Sequence, residues 1–129
     1  MATQERPLSP HLQVYKPQIT SVMSIIYRAT GVVLALGSLV LAAWLVAAAG
    51  APQTYASFAG WMGSPVGKLA LFVFSACLVY HFLNGLRHLA WDTGRGYDIP
   101  KVYASGYTVL ALSVVLTAAL WWVALGGTP

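Results

Sequence analysis

Residues 29–67 read ATGVVLALGSLVLAAWLVAAAGAPQTYASFAGWMGSPVG, a run of 39 positions without one charged side chain. As a single helix rising about 1.5 Å per residue, it would overshoot the roughly 30 Å hydrocarbon layer of a bilayer about twofold. The run must therefore be broken, and Gly50-Ala51-Pro52-Gln53-Thr54 supplies the break. Upstream, one helix is predicted from about Ser21 to Ala49. Downstream, Tyr55, Phe58 and Trp61 are of the aromatic types favoured at the headgroup level, which predicts a short interfacial helix or loop over 55–62. A second long helix is predicted from near Pro65 to about Trp91, ended by the polar stretch 92–101. A third runs from about Val102 to Leu125 and stops at Gly126-Gly127, with Trp121 and Trp122 as its interfacial anchor.

Composition agrees with this reading. Of 129 residues, 58% are hydrophobic and 8% charged, and the mean hydropathy is +0.69. Soluble domains carry roughly 25% charged residues. A 13.8 kDa soluble domain could not hide so much apolar side chain from water, which excludes a soluble enzyme and a nucleic-acid binder. The expected fold is all-α, an integral membrane bundle of three transmembrane helices. The single cysteine, Cys77, lies inside an apolar run, so no intrachain disulfide is possible and no CxxCH haem-attachment site exists. Cys77 and Met23 read as ordinary packing residues.

The first 28 residues differ from the rest. They hold Arg6, Lys16, Arg28, Glu5 and the prolines Pro7, Pro10 and Pro17, with no long apolar run. They fit neither a secretory signal nor an Arg- and Ser-rich transit peptide. Residues 1–20 are expected to form an arm on the cytoplasmic membrane surface, and 21–129 the three-helix domain. Lys and Arg cluster in that arm and around the connection after the second helix (Arg87, Arg95, Lys101), while the first connection offers only Lys68. The positive-inside rule then puts the N-terminus in the cytoplasm and the C-terminus on the periplasmic side. No paired broken helices suggest a transporter.

Ionisable and strongly polar side chains at membrane depth are expensive, so each asks for a partner. At roughly 100° per residue, His81, Asn84, Gly85, His88 and Asp92 fall in one arc, opposite Phe82, Leu83, Leu86, Leu89 and Ala90. His81 lies roughly 15 Å from the cytoplasmic end of its helix. It reads in three ways: a histidine hydrogen-bonded to a neighbouring helix, an axial iron ligand, or a proton relay. Gly85, one turn away, would let a flat macrocycle approach. His88 shares the face but stands roughly 10 Å along the axis, too far to bind the opposite side of the same iron. A haem held by two histidines would need the second from another chain. Ser21, Ser24 and Arg28 share a face of the first helix. Arg28 either pairs with an anion such as a haem propionate or snorkels to lipid phosphate. Ser24 either bonds a small ligand such as a quinone carbonyl or returns to its own helix backbone. Arg87 points off the polar stripe, which predicts a surface snorkelling role. Asp92 pairs with Arg87, Arg95 or His88, or caps the loop.

Two segments resemble a known family. Arg6-Pro7-Leu8-Ser9-Pro10-His11-Leu12-Gln13-Val14-Tyr15-Lys16-Pro17, followed by Ile19-Thr20-Ser21 and Ser24-Ile25-Ile26-Tyr27-Arg28-Ala29-Thr30-Gly31, is similar to the N-terminal signature of succinate dehydrogenase cytochrome b556 subunits. The stretch 81–92, HFLNGLRHLAWD, resembles that family's second-helix motif HxxxGxRHxxxD. The resemblance implies a membrane anchor for the flavoprotein and iron–sulfur subunits of complex II, in the bacterial cytoplasmic membrane. It implies that His81 is an axial ligand of haem b, shared with a second small membrane subunit, and that Ser24 and Arg28 line the ubiquinone site. Arg28 would also approach a haem propionate, and His88 would donate to the propionate side. The position of Tyr27 is often histidine among relatives and contacts a propionate; tyrosine still donates a hydrogen bond but brings no positive charge. Electrons would pass from succinate through iron–sulfur clusters to quinone. With no flavin fingerprint and no cysteine set for a cluster, the chain would not itself oxidise succinate. A haem-free structural anchor and the equivalent subunit of a quinol:fumarate reductase are the alternatives.

Overall fold

The computed structural model describes residues 18–127. Arg6, His11, Lys16 and most of the expected arm lie outside the described residues. Four α-helices follow in order: α1 (Ile19–Ala49), α2 (Pro52–Gly63), α3 (Pro65–Asp92) and α4 (Ile99–Trp122). A π-helical segment, Val123–Gly127, kinked at Gly126 (φ +103°), follows α4 and ends the described residues. No strand occurs among the described residues.

Each boundary has a local cause. α1 ends where Gly50 becomes extended (φ −94°, ψ −155°) and its N–H bonds the Ala47 carbonyl at 3.2 Å. Pro52 then opens α2, because its fixed φ suits a first helical turn and its missing N–H costs nothing there. At the start of α3, Ser64 Oγ accepts from the Gly67 N–H at 3.1 Å, with Pro65 at the first position. Gly94 (φ +81°) and Gly96 (φ +79°) adopt left-handed backbone that a Cβ would strain, and they reverse the chain after α3. α4 begins at Ile99 rather than Val102, since Pro100 is tolerated in a first turn.

α3 is the central element: it packs against both α1 and α4, which also touch each other, while α2 packs against α1 and α3. The core is small. Met23, Tyr80 and Val109 contribute one residue from each long helix, with Ile19, Tyr27, Leu83 and Leu110 packed around them. The Tyr80 hydroxyl donates to the Met23 carbonyl at 2.8 Å, so this buried phenol ties α3 to α1 with its polar atom satisfied. Many of the largest apolar side chains point outward, Leu39, Val46, Val114 and Leu125 among them, whereas Thr30, Asn84, Ser113 and Thr117 are buried. Such an inside-out pattern suits lipid, where small and polar residues, not bulk hydrophobicity, hold helices together. α1, α3 and α4 with its following turn are long and apolar enough to cross a membrane.

Trp121 and Trp122 part ways. Trp122 is exposed as an anchor should be. Trp121 instead turns onto α3, donating Nε1 to Ser75 Oγ at 2.7 Å and meeting the Phe72 ring edge-on at 5.6 Å. An indole against a neighbouring helix needs an acceptor for its N–H, and Ser75 provides one.

Candidate functional site

Tyr27, Thr30 and Gly31 follow i, i+3, i+4 spacing, so α1 presents them together. They meet His81, Gly85 and His88 of α3. The Tyr27 and His81 rings stack with centroids 4.1 Å apart and planes 5° from parallel. On its other contact Tyr27 stacks with His88 at 5.3 Å and 15°. Positions 81 and 88 are roughly 10 Å apart along the helix, a span these separations cover only if the phenol lies between the two imidazoles. The hydroxyl end of the phenol borders Gly85, where a Cβ would stand in ordinary contact 3.7 Å from Tyr27 Oη. The space read from the sequence as open to a flat macrocycle is thus bordered by the Tyr27 hydroxyl. Each aromatic contact of this kind adds roughly 0.5–1.5 kcal/mol beyond area burial.

The edge of His81 is held as well. Thr30 Oγ1 donates to the Tyr27 carbonyl at 2.9 Å and stands 3.1 Å from His81 Nδ1. A hydroxyl has one proton. With that proton on the carbonyl, Thr30 accepts from Nδ1–H, and Nε2 carries the unprotonated lone pair. A histidine that ligates a metal is oriented by such a bond on its other nitrogen. Gly31 supplies the clearance, because a Cβ at that position would lie 3.2 Å from His81 Cε1. His88 is oriented from its own helix, Nδ1–H donating to the Asn84 carbonyl at 2.9 Å.

The other side of α3 carries a second polar cluster, and it overturns the surface role expected for Arg87. The side chain is buried against α4. Nε donates to Ser105 Oγ at 2.9 Å, Nη1 to Asn84 Oδ1 at 3.3 Å, and Nη2 to the Val102 carbonyl at 3.0 Å. Its Cζ lies 4.2 Å over the Trp91 ring, a cation–π contact. Asn84 is fully buried, and its Nδ2 has no partner among the described residues. Asp92 is exposed, and among the described residues the ion pair is Lys101–Asp98 at 3.3 Å, with Asp92 in none.

Ser24 and Arg28 sit exposed on α1. Ser38, Ser75, Thr108 and Ser113 all return a hydrogen bond to their own helix backbone. Ser24 makes no such bond among the described residues. Both side chains are therefore presented outward, Ser24 one turn from Tyr27 and Arg28 adjacent to it. The sequence placed Thr30 and Gly31 in a motif without assigning them work, and their i, i+3, i+4 relation to Tyr27 was the available signal. Nothing in one sequence signalled that the Asn84 side chain would accept from Arg87.

The chain is similar to known proteins over nearly its whole length. Residues 2–120 match the family described as succinate dehydrogenase/fumarate reductase transmembrane subunit. The chain is 41% identical over 117 residues to the succinate dehydrogenase cytochrome b556 subunit of Rickettsia prowazekii, covering 91% of each protein. It is 41% identical over 111 residues to the protein of that name from Paracoccus denitrificans, covering 86% of this chain and 85% of the relative. The mitochondrial cytochrome b560 subunit of succinate dehydrogenase from Mus musculus is 37% identical over 117 residues, covering 89% of this chain and 69% of the relative.

Proposed function

Since this chain belongs to the succinate dehydrogenase/fumarate reductase transmembrane subunit family, we propose that it anchors a succinate:quinone oxidoreductase in the bacterial cytoplasmic membrane. In that role it provides one axial ligand of a haem b and part of a ubiquinone-reducing site. The observation that carries the haem reading is the hold on His81: Nδ1 stands 3.1 Å from the Thr30 hydroxyl, which makes Nε2 the nitrogen available to a metal. A histidine serving only as a helix–helix bond would use the same Thr30 contact. It would need the same clearance at Gly31, so the cytochrome names of the relatives are what favour the metal.

The donor set fits the group. Haem iron takes a neutral imidazole nitrogen, and His81 Nε2 offers one. When bound, haem b supplies one-electron redox chemistry at its iron. Its carboxylates call for cationic and hydrogen-bonding groups, and Arg28, His88 and the Tyr27 hydroxyl are the candidates on this chain. With Nδ1–H committed to the Asn84 carbonyl, His88 donates from Nε2 only as an imidazolium. Gly85 adds no side chain of its own to the α3 surface that the Tyr27 hydroxyl borders. The second axial ligand comes from another small membrane subunit.

Quinone reduction takes up two electrons and two protons, so negative charge develops on the carbonyl oxygens as electrons arrive. The Ser24 hydroxyl donates to one carbonyl, and the Arg28 guanidinium stabilises the developing charge. Both are exposed on α1, where a flavoprotein–iron–sulfur pair docked at the membrane surface would deliver electrons. The succinate dehydrogenase names of the bacterial and mitochondrial relatives favour succinate oxidation over fumarate reduction as the working direction.

Affinity purification of the tagged chain from its native membrane tests this assignment. A flavoprotein, an iron–sulfur protein, a second small membrane protein and b-type haem are expected together, with succinate-driven ubiquinone reduction. Recovery of the chain with none of them would overturn it.

A further inference from the structure

On the reading of His81 as axial ligand rests one more assignment. We propose that Tyr27 is a positioning residue that acts through the face of its ring, fixing the plane of the His81 imidazole about the iron-binding nitrogen. The Thr30 contact pins one point of that imidazole, Nδ1, at 3.1 Å. Coupled rotation about the two side-chain torsions can keep that one distance and still swing the ring plane. A flat neighbour 4.1 Å away and 5° from parallel removes this freedom, because any tilt drives imidazole atoms into the phenol. The phenol is itself backed by His88 at 5.3 Å and 15°, so it cannot yield by tilting with the imidazole.

This assigns the orientation of the imidazole to the ring face of Tyr27, apart from the hydroxyl's candidacy for a haem carboxylate. Among the described residues its hydroxyl makes no hydrogen bond to protein, while both neighbouring rings lie nearly parallel to it. The mutual angle of two axial imidazoles governs the low-field g value of a low-spin ferric haem, which makes the orientation directly readable.

The test uses the assembled complex carrying Tyr27→Phe, Tyr27→His, Tyr27→Leu or Tyr27→Met, with low-temperature electron paramagnetic resonance of the oxidised haem and haem content as readouts. The two flat replacements are expected to keep the low-field g value and linewidth of the parent. The two aliphatic ones are expected to shift and broaden that signal or to lose haem. An unshifted, unbroadened signal in Tyr27→Leu and Tyr27→Met overturns the proposal. So does a change in Tyr27→Phe equal to theirs, which would assign the work to the hydroxyl, and so does equal loss of haem in all four. A His81→Ala complex run beside them separates the two levels: full haem content there sinks the ligand assignment itself, whatever the Tyr27 variants do.

Discussion

The hydroxyl of Thr30 stands 3.1 Å from Nδ1 of His81 while donating its own proton to the Tyr27 carbonyl at 2.9 Å. One residue of α1 thereby sets which nitrogen of an α3 histidine keeps its lone pair. The link runs from a threonine at helical spacing, through a hydroxyl with one proton, to the metal-binding capacity of a ring on another helix.

Replacing Thr30 by valine keeps the shape and removes that acceptor. Loss of an orienting partner of this kind typically weakens metal affinity by about 10–100-fold. The Thr30→Val complex is expected to assemble and to lose haem on dilution in detergent much faster than the parent, followed by absorbance. Unchanged retention would mean that Thr30 does not orient the ligand.

Gly31 permits the close approach of His81. In Gly31→Ala a Cβ would stand 3.2 Å from Cε1, so the imidazole must give by a few tenths of an ångström. A perturbed haem spectrum with near-normal assembly is expected, and Gly31→Val should lose haem. A parent-like spectrum in Gly31→Val would show that the clearance is unused.

Arg87 bridges α3 to α4 through Ser105 and Val102 and also holds Asn84. Arg87→Leu strands Asn84 Oδ1 in a buried seam, and leaving such a group unpaired costs on the order of 1–3 kcal/mol. The variant complex should dissociate at a lower temperature in detergent, with Arg87→Lys recovering little, because an ammonium cannot reproduce the planar fork of donors. Parent-like thermal stability of Arg87→Leu would count against the bridge.

Ser24 and Arg28 belong to the quinone reading. Ser24→Ala removes one hydrogen bond, worth roughly 1 kcal/mol or a few-fold in rate; Arg28→Leu removes a charged donor, worth roughly 1.5–3 kcal/mol or about 10–100-fold. Succinate-driven ubiquinone reduction should fall by such factors, while succinate oxidation with a soluble artificial acceptor stays intact. Equal loss of both activities would indicate failed assembly and remove the support for a quinone site.

The spans were legible because they rest on one-dimensional facts. A charge-free run too long for one crossing, a Gly-Ala-Pro break and a Pro-led start at residue 65 place α1 and α3 almost without remainder. Arg87 was misread because α3 was given one protein-facing side, whereas as the central helix it has two. His81, Gly85 and His88 meet α1; Asn84, Arg87 and Trp91, roughly 60–120° around the helix from His81, form the cluster from which Arg87 reaches α4. Which helix lies against which face depends on tertiary packing, and a single sequence does not encode it in any periodicity. The Tyr27–His81 stack was hidden for the same reason: positions 54 residues apart in sequence carry no local sign that their rings will lie parallel.

The most direct measurement is the reduced-minus-oxidised absorbance spectrum of the purified complex bearing His81→Ala, beside the unaltered complex at matched protein content. A b-type haem band in the unaltered complex, lost or severely perturbed in the variant while the soluble subunits remain bound, is the expected result. An identical band in both would contradict the account.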